Sequence, residues 1–178
     1  SFPTRRSSDL GKSELLIARI IGGMVFLGES IVYTAHSDKT VSAIKRRILR
    51  FFYDAETEIR DLLTEEFDKE PKSFDYVELR NRGVCQFRTR TRTGGLGMTN
   101  DCLILDEDQE ETDAQQEALL PTISAGKSQN SQTIRAGTPP SGGSSGTVFM
   151  RVRTAVLEGK DHNTCWQEWS VETMRDPQ

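Results

Sequence analysis

The spacing of hydrophobic residues changes several times along this chain, and each change predicts a different element. From residue 11 to residue 20 the apolar positions recur every three or four residues, which predicts a helix. A β-branched run over residues 30–35 predicts a strand, and Ser37 or Asp38 is placed to cap a second helix. The apolar stripe of this second helix consists of Val41, Ile44, Ile48, Phe51 and Phe52. This alternation predicts an α/β fold with a mostly parallel sheet flanked by helices.

The middle of the chain changes to the two-residue period of a hairpin. Before it, one more amphipathic helix is expected to end ahead of Pro71. The buried face of this helix consists of Ile59, Leu62, Leu63 and Phe67. Residues 74–79 and 84–90 predict two strands, and the sequence Asn-Arg-Gly at residues 81–83 predicts the turn between them.

The later elements are shorter and are separated by loops. Residues 115–120 predict a helix that Pro121 stops, and residues 131–136 predict a strand. A Ser/Gly tract at residues 141–146 predicts a loop, after which residues 147–157 predict a helix. A final strand is expected at residues 165–171.

One stretch, residues 102–107, combines a core element with chemistry. Four apolar or thiol side chains, at residues 102–105, are followed by the adjacent carboxylates of Asp106 and Glu107. This pattern is typical of a strand buried on both faces that presents acids at its carboxyl end, where open α/β sheets bind ligands. Alternatively, the strand belongs to the core and ends in a solvated acidic loop.

Arginines alternate with threonines at the end of the predicted hairpin. The two-residue period would place Arg88, Arg90 and Arg92 on one face of the strand. They are interpreted as charges that protect an exposed edge strand, as a phosphate or DNA contact, or as arginines that reach a neighbouring subunit. The basic face of the second helix, around Lys45 and Arg46, has two interpretations as well: a solvated surface or a nucleic-acid contact.

Composition narrows the class of protein. The 178 residues suffice for one domain with a real core, and 27 acidic against 23 basic residues give a net charge of -4. A global nucleic-acid or membrane coat is therefore not expected. Three separated cysteines and two histidines argue against a structural zinc site or a disulfide framework. The longest apolar run, residues 20–27, contains glycines and is too short for a membrane helix.

A short motif near the start of the first helix suggests phosphate chemistry. Lys12 and the amide groups at the helix start can hold the phosphates of a nucleotide, and the Ser13 hydroxyl can bind Mg²⁺. Asp106 would bind the same ion, while Glu107 would polarise the attacking water. Together these residues indicate ATP hydrolysis rather than nucleotide binding alone.

The residues ahead of this motif do not fit a phosphate-binding loop. Residues 6–10 replace the usual first glycine and spacer, and residues 1–10 read like a translated sequencing adapter. We interpret them as a non-native leader, with a disordered basic arm as the alternative. The strand that normally precedes such a loop is then expected to be missing, and this chain by itself is expected to bind ATP poorly.

The order of the motifs supplies a resemblance. GKSELLIARI, VYTAHSDKTVSAIKRRI, the arginine-rich hairpin, NDCLILDEDQE, ALLPTISA and TIRAGTPP follow one another along the chain. Together, over residues 11–171, they resemble the ATPase domain of the large terminase subunit of tailed bacteriophages. Residues 172–178 would begin a linker to a nuclease domain that is absent from this sequence. The resemblance implies a P-loop NTPase-type fold.

The resemblance also implies site residues, with ATP and Mg²⁺ as cofactors. Its nucleotide-binding set is Gly11, Lys12, Ser13, Asp106, Gly137 and Thr138, of which the first three close the Walker A loop. Ser13 and Asp106 would hold the metal, and Glu107 is implied as the catalytic carboxylate of Walker B. Gly137 and Thr138 match the motif that couples hydrolysis to DNA movement. Two other positions depart from the family pattern, Leu96 between glycines and Asp108 after the acid pair.

The implied function is that of a DNA-packaging motor. Such a domain couples ATP hydrolysis to translocation of double-stranded DNA into the prohead, in the cytoplasm of the bacterial host. Its implied partners are DNA, the portal protein, the small terminase subunit and further copies of itself in a ring, with no membrane. The alternatives are a helicase-like nucleic-acid-dependent ATPase and an inactive fragment that retains the fold.

Overall fold

The structure is a computed structural model that describes residues 11–55, 57–64, 75–90, 99–124, 131–138 and 147–168. It contains a five-stranded sheet in the order β2-β3-β1-β4-β5. The strands are β1 (Ser30–Ala35), β2 (Tyr76–Glu78), β3 (Val84–Thr89), β4 (Cys102–Asp106) and β5 (Gln132–Ala136). All neighbours pair in parallel except β2, which is antiparallel to β3. The predicted mostly parallel α/β sheet is confirmed.

Helices flank this sheet. They are α1 (Lys12–Gly22), α2 (Asp38–Asp54), α3 (Thr57–Arg60), α4 (Asp113–Leu119), α5 (Pro121–Ser124) and α6 (Val148–Leu157). The last turns of the first helical segment widen into a π-helix at Gly23–Leu27, which ends at Gly28 in the left-handed conformation. Ser37 caps α2 as predicted, because its hydroxyl accepts the Lys39 N–H. None of the helices in the described ranges is long and apolar enough to cross a membrane.

The central strands are apolar on both faces because helices cover both faces. Every residue of β4 is buried, and so are the last five residues of β1. On one face Ile31, Tyr33 and Ile104 belong to the larger core, which α1 and α2 complete. On the other face a smaller core consists of Val32, Leu103, Leu105, Leu119 and Ile123. Continuous hydrophobic runs therefore mark the middle of the sheet.

The arginine-bearing strand lies inside the sheet. β3 pairs with β1 on one side and with β2 on the other, so its interpretation as an exposed edge strand is wrong. The hairpin turn at residues 81–83 is confirmed, with Arg82 in the left-handed region at a φ of 74°. Asn81 fixes this turn by donating from its side-chain amide to the carbonyls of Met24 and Val25, at 2.9 Å each.

Three local predictions differ from the structure. Pro121 does not end the helical segment but begins the short helix α5, since proline fits the first turn of a helix. The amphipathic helix predicted before Pro71 is only the four-residue α3 in the described residues, and Leu63 instead bridges to Leu79. Residues 165–168 form no strand. The leader at residues 1–10, Leu96 and the loop at 141–146 lie outside the described residues.

We expect two glycines to respond oppositely to alanine. A Cβ on Gly83 would meet the carbonyl oxygen of Met24 at 2.2 Å, whereas a Cβ on Gly22 would meet nothing within 4 Å. Gly83→Ala should therefore lower the free energy of unfolding by about 2 kcal/mol or more. Gly22→Ala, in helical backbone at a φ of -59°, should raise it by roughly 0.5–1 kcal/mol. Urea denaturation of both variants checks this, and equal effects would contradict the packing seen at the hairpin.

Candidate functional site

The predicted functional residues lie at the carboxyl edge of the sheet. Asp106 ends β4 opposite Ala136 of β5, so Gly137 follows at the same edge. The start of α1 reaches this edge too, because the Lys12 Nζ atom lies 3.2 Å from the Asp106 Oδ1 atom. Lys12 of the Gly-Lys-Ser motif and Asp106 of the Asp-Glu pair thus form one ion pair, and a nucleotide site would bring these two motifs together in this way.

Asp106 is almost fully buried and is held by three donors. Only 2% of its surface is exposed. Its Oδ2 atom accepts the Tyr33 hydroxyl at 2.8 Å, and its Oδ1 atom accepts the Glu107 N–H at 2.9 Å besides contacting Lys12. Burial and the nearby Asp106 carboxylate raise the pKa of Tyr33, so its hydroxyl stays protonated as a donor. The carboxylate is consequently fixed in orientation.

The first turn of α1 offers donors to an anion. Gly11 precedes the helix in the left-handed conformation, with a φ of 79°, which glycine adopts without strain. Lys12 and Ser13 then begin the helix, whose first N–H groups have no partner within the helix itself. The positive end of the helix dipole and the Lys12 ammonium group together favour a phosphate at this position.

Glu107 has an unusual backbone and a firmly held side chain. Its φ of 53° and ψ of 42° place it in the left-handed region. One carboxylate oxygen accepts the Ser37 N–H at 3.1 Å, and the other accepts the Thr40 hydroxyl at 2.8 Å. The carboxylate is therefore anchored at the start of α2. It adjoins the Lys12–Asp106 pair through its own backbone N–H.

Arg90 follows β3 directly and completes this edge. Its side chain is 5% exposed, and its Nη2 atom donates to the carbonyl oxygens of Asp106 at 2.5 Å and Glu107 at 2.8 Å. Burial lowers the pKa of Arg90, and the charge of Asp108 opposes this effect. The two-residue period grouped Arg90 with Arg88, which is exposed. The pattern gave no signal for their different environments.

A second buried charge cluster lies beside the first. Asp108 and Glu111 are fully buried, so the alternative in which β4 ends in a solvated acidic loop does not hold for these two acids. Arg135 of β5 donates from Nη1 to both Asp108 oxygens, at 3.2 and 3.1 Å, and to Glu111 at 2.5 Å. Burial lowers the pKa of Arg135, but the charges of Asp108 and Glu111 outweigh it, so its pKa is raised. One sequence signal for this cluster was available, namely Arg135 inside the strand predicted at residues 131–136.

Two carboxylates on one guanidinium group leave an excess of negative charge. Burial, followed by the charge of Asp108, raises the pKa of Glu111 to about 7. Its Oε1 atom is buried without a hydrogen-bond partner in the described residues. We therefore expect the protonation of Glu111 to change near neutral pH.

Gly137 and Thr138 contact the loop that follows Glu107. A Cβ on Gly137 would lie 2.9 Å from the Gln109 Oε1 atom and 3.2 Å from the Phe149 ring, so a larger residue here would displace the Gln109 side chain and press on the Phe149 ring. The Thr138 N–H donates to the same Gln109 oxygen at 3.2 Å. The end of β5 is thereby joined to the acidic loop through Gln109, a residue that sequence reasoning missed.

The side chains at this edge fit a magnesium–nucleotide complex better than a metal alone. No three His, Cys, Asp or Glu side chains in the described ranges converge on a metal position. Mg²⁺ bound with a nucleotide needs only one or two protein oxygens, since phosphates and waters complete its shell. Asp106 and the half-buried Ser13 provide such oxygens. The donor set therefore agrees with the predicted cofactors.

Comparison with known proteins finds similar solved structures but no similar family model or curated sequence. No family model matches the chain, and no curated protein matches it significantly. The large terminase of bacteriophage HK97 matches with a TM-score of 0.66 at 14% identity, covering 84% of this chain and 31% of that one. The large terminase ATPase domain of Thermus phage P74-26 matches with a TM-score of 0.53 at 19% identity, covering 75% and 57%. The chain thus spans about a third and just over half of these structures.

The sheet and its flanking helices define a mixed α/β domain with a five-stranded, mostly parallel sheet. Within this class, the fold is that of the ATPase domains of phage large terminases. The fold implied by the sequence resemblance is therefore confirmed. At identities of 14% and 19% the likeness establishes the fold, so the roles of individual residues remain predictions.

We expect Glu111 to make stability depend on pH. Because its pKa is raised to about 7 in the folded state, its favourable contribution is complete below its ordinary pKa and is lost as the pH rises through 7. Glu111→Gln should be the more stable protein at pH 8 and should flatten the profile between pH 5 and pH 8.

Urea denaturation across this range measures the effect. Glu117→Gln is the matched control because Glu117 is exposed on α4, and its profile should follow the wild type. Parallel profiles for Glu111→Gln and the wild type would contradict a raised pKa at Glu111.

Proposed function

We propose that this chain is the ATP-hydrolysing motor domain of a phage DNA-packaging terminase. The observation that carries the proposal is the contact of 3.2 Å between Lys12 Nζ and Asp106 Oδ1, at the carboxyl edge of a terminase-type sheet. A cation from the start of a helix and a buried carboxylate at a strand end are the two halves of a phosphate and magnesium site.

The proposed binding step is an exchange of partners. Lys12 contacts Asp106 in the structure, and a nucleotide would offer its ammonium group a more highly charged partner. Lys12 and the N–H groups of α1 would hold the phosphates, while Asp106 and Ser13 would hold Mg²⁺. When bound, Mg²⁺ neutralises charge that develops on the phosphates. The Tyr33 hydroxyl keeps Asp106 in place during this exchange.

The proposed hydrolytic step belongs to Glu107. Its carboxylate is an acceptor that can orient and polarise a water molecule for attack on the terminal phosphate. The hydrogen bonds from Ser37 and Thr40 limit the positions that this carboxylate takes. A water molecule must compete with these two donors, so the start of α2 takes part in setting the attacking geometry.

The proposed coupling step uses the end of β5. Gly137 and Thr138 contact Gln109, two residues beyond Glu107, so a change at the phosphate site reaches β5 through one side chain. In the full motor this movement would drive double-stranded DNA into the prohead. We place the portal protein, the small terminase subunit and further copies of the chain in a ring as partners, within the bacterial cytoplasm.

We expect Glu107→Gln to abolish hydrolysis without abolishing nucleotide binding. The amide keeps the size of the side chain but removes its basicity, so kcat should fall by about 100-fold or more. The measurement is steady-state ATPase activity of the full-length protein, with and without double-stranded DNA. Glu117→Gln, an exposed acid on α4, should retain the wild-type kcat.

The outcomes of this experiment separate the candidate functions. Normal hydrolysis by Glu107→Gln would reject the role of Glu107. Equal stimulation by single-stranded and double-stranded DNA would favour a helicase-like ATPase, and no hydrolysis by the full-length wild type would reject the proposed ATPase function.

We expect the 178-residue chain itself to bind Mg-ATP weakly, since residues 6–10 do not supply the loop that normally surrounds the phosphates. Isothermal titration calorimetry should show a Kd well above micromolar, and a protein with a complete loop should bind more tightly. A micromolar Kd for the 178-residue chain would contradict this expectation.

A further inference from the structure

We propose that Arg90 is a positioning residue that holds the backbone of Glu107 in the conformation that aims its carboxylate. This inference rests on the proposed ATPase function and adds a residue that the nucleotide site does not include. Arg90 is 5% exposed, and its Nη2 atom bridges the carbonyl oxygens of two successive residues, Asp106 and Glu107. These two residues carry the carboxylates of the site.

The backbone of Glu107 needs such a partner. Its φ of 53° belongs to the left-handed region, which costs a residue with a side chain roughly 1 kcal/mol or more. In this conformation the carbonyls of Asp106 and Glu107 converge on one nitrogen atom. A charged donor between two carbonyls offsets the strain and favours this turn over an ordinary extended one.

Arg90 is itself anchored where the Glu107 side chain is anchored. The Arg90 N–H donates to the Ala35 carbonyl at 2.9 Å, at the end of β1. Two residues later, the Ser37 N–H donates to the Glu107 carboxylate. The backbone and the side chain of Glu107 are therefore both fixed to the junction between β1 and α2.

The details of this contact do not favour stability alone. Within the described residues, the Nε and Nη1 atoms of Arg90 are buried without hydrogen-bond partners. Each unpaired buried donor costs about 1–3 kcal/mol. These costs reduce the net stability that the two hydrogen bonds to the carbonyls provide. Orientation of the acid pair gives this arrangement a purpose, since small misplacements of a catalytic group lower the rate strongly.

Two variants of Arg90 separate the effect of its hydrogen bonds from the effect of its side-chain size. Arg90→Met retains an extended apolar side chain without donors, and Arg90→Lys retains a charged donor for the same carbonyls. Arg88→Met is the matched control, because Arg88 lies two residues before Arg90, at the end of β3, and is exposed. Among the hydrogen bonds of the described residues, its side chain contacts only the Gln86 side chain, at 3.4 Å.

The first measurement needs no nucleotide. Hydrogen exchange of the 178-residue chain, monitored by mass spectrometry, should be faster over residues 105–110 in Arg90→Met, because the turn at Glu107 loosens. Arg88→Met should exchange like the wild type. Unchanged exchange in Arg90→Met would overturn the proposal.

The second measurement is steady-state ATPase activity of the full-length protein. Arg90→Met should lower kcat at least tenfold with the KM for ATP within twofold, and Arg90→Lys should recover part of kcat. In the Glu107→Gln background Arg90→Met should cause no further loss, because Arg90 acts through Glu107. A raised KM with normal kcat, or losses that multiply in the double variant, would overturn the proposal.

Failure of folding and failure of the proposed function are distinguishable. If Arg90→Met does not fold, Arg90→Lys decides by the same measurements, and loss of folding in both variants would assign Arg90 to stability and overturn the proposal. If the wild type hydrolyses no ATP, the proposed function fails, while the exchange measurement still decides whether Arg90 holds the turn.

Discussion

Burial of negative charge at the end of β4 is the constraint on which this edge of the protein depends. Asp106, Asp108 and Glu111 are at most 2% exposed, and a buried carboxylate without a partner is unstable. The ion-pair partners are Lys12 from α1 and Arg135 from β5. Arg90, at the end of β3, adds a third positive charge and donates to the backbone carbonyls of Asp106 and Glu107. The parallel order of the sheet is what brings these three segments to one place.

This dependence links the fold to the chemistry. Removing one cation would leave a buried acid uncompensated, so each contact between segments constrains the position of an acid as well as the fold. A nucleotide that attracts Lys12 would remove one of these partners from Asp106, and Mg²⁺ would replace the lost positive charge. In the proposed ATPase cycle, the charge balance of the edge therefore changes with ligand occupancy while Arg90 and Arg135 retain their contacts.

The sequence predicted the elements better than the contacts between them. The β4 strand and its two acids could be found because an apolar run and the acids after it are local features of the chain. The burial of Arg90 could not be predicted, since Arg88 and Arg90 belong to the same two-residue pattern. Only the tertiary structure makes one exposed and the other buried. The burial of Glu111 was missed for a similar reason: Glu111 lies in the loop after β4, and its partner Arg135 lies on β5. Pairing of charges over long sequence separations leaves no periodic signal.

The absence of a side chain at Gly137 also has an optical consequence. The Phe149 ring lies against Gly137, and the Trp166 ring packs on Phe149 with the ring centroids 5.3 Å apart. The Trp166 indole is half-buried and donates to Glu168 at 3.1 Å. Indole emission responds to the surroundings of the ring, so we expect a displacement at the end of β5 to change the emission of Trp166. Trp166 is thus a built-in spectroscopic reporter for the segment that joins β5 to the acidic loop.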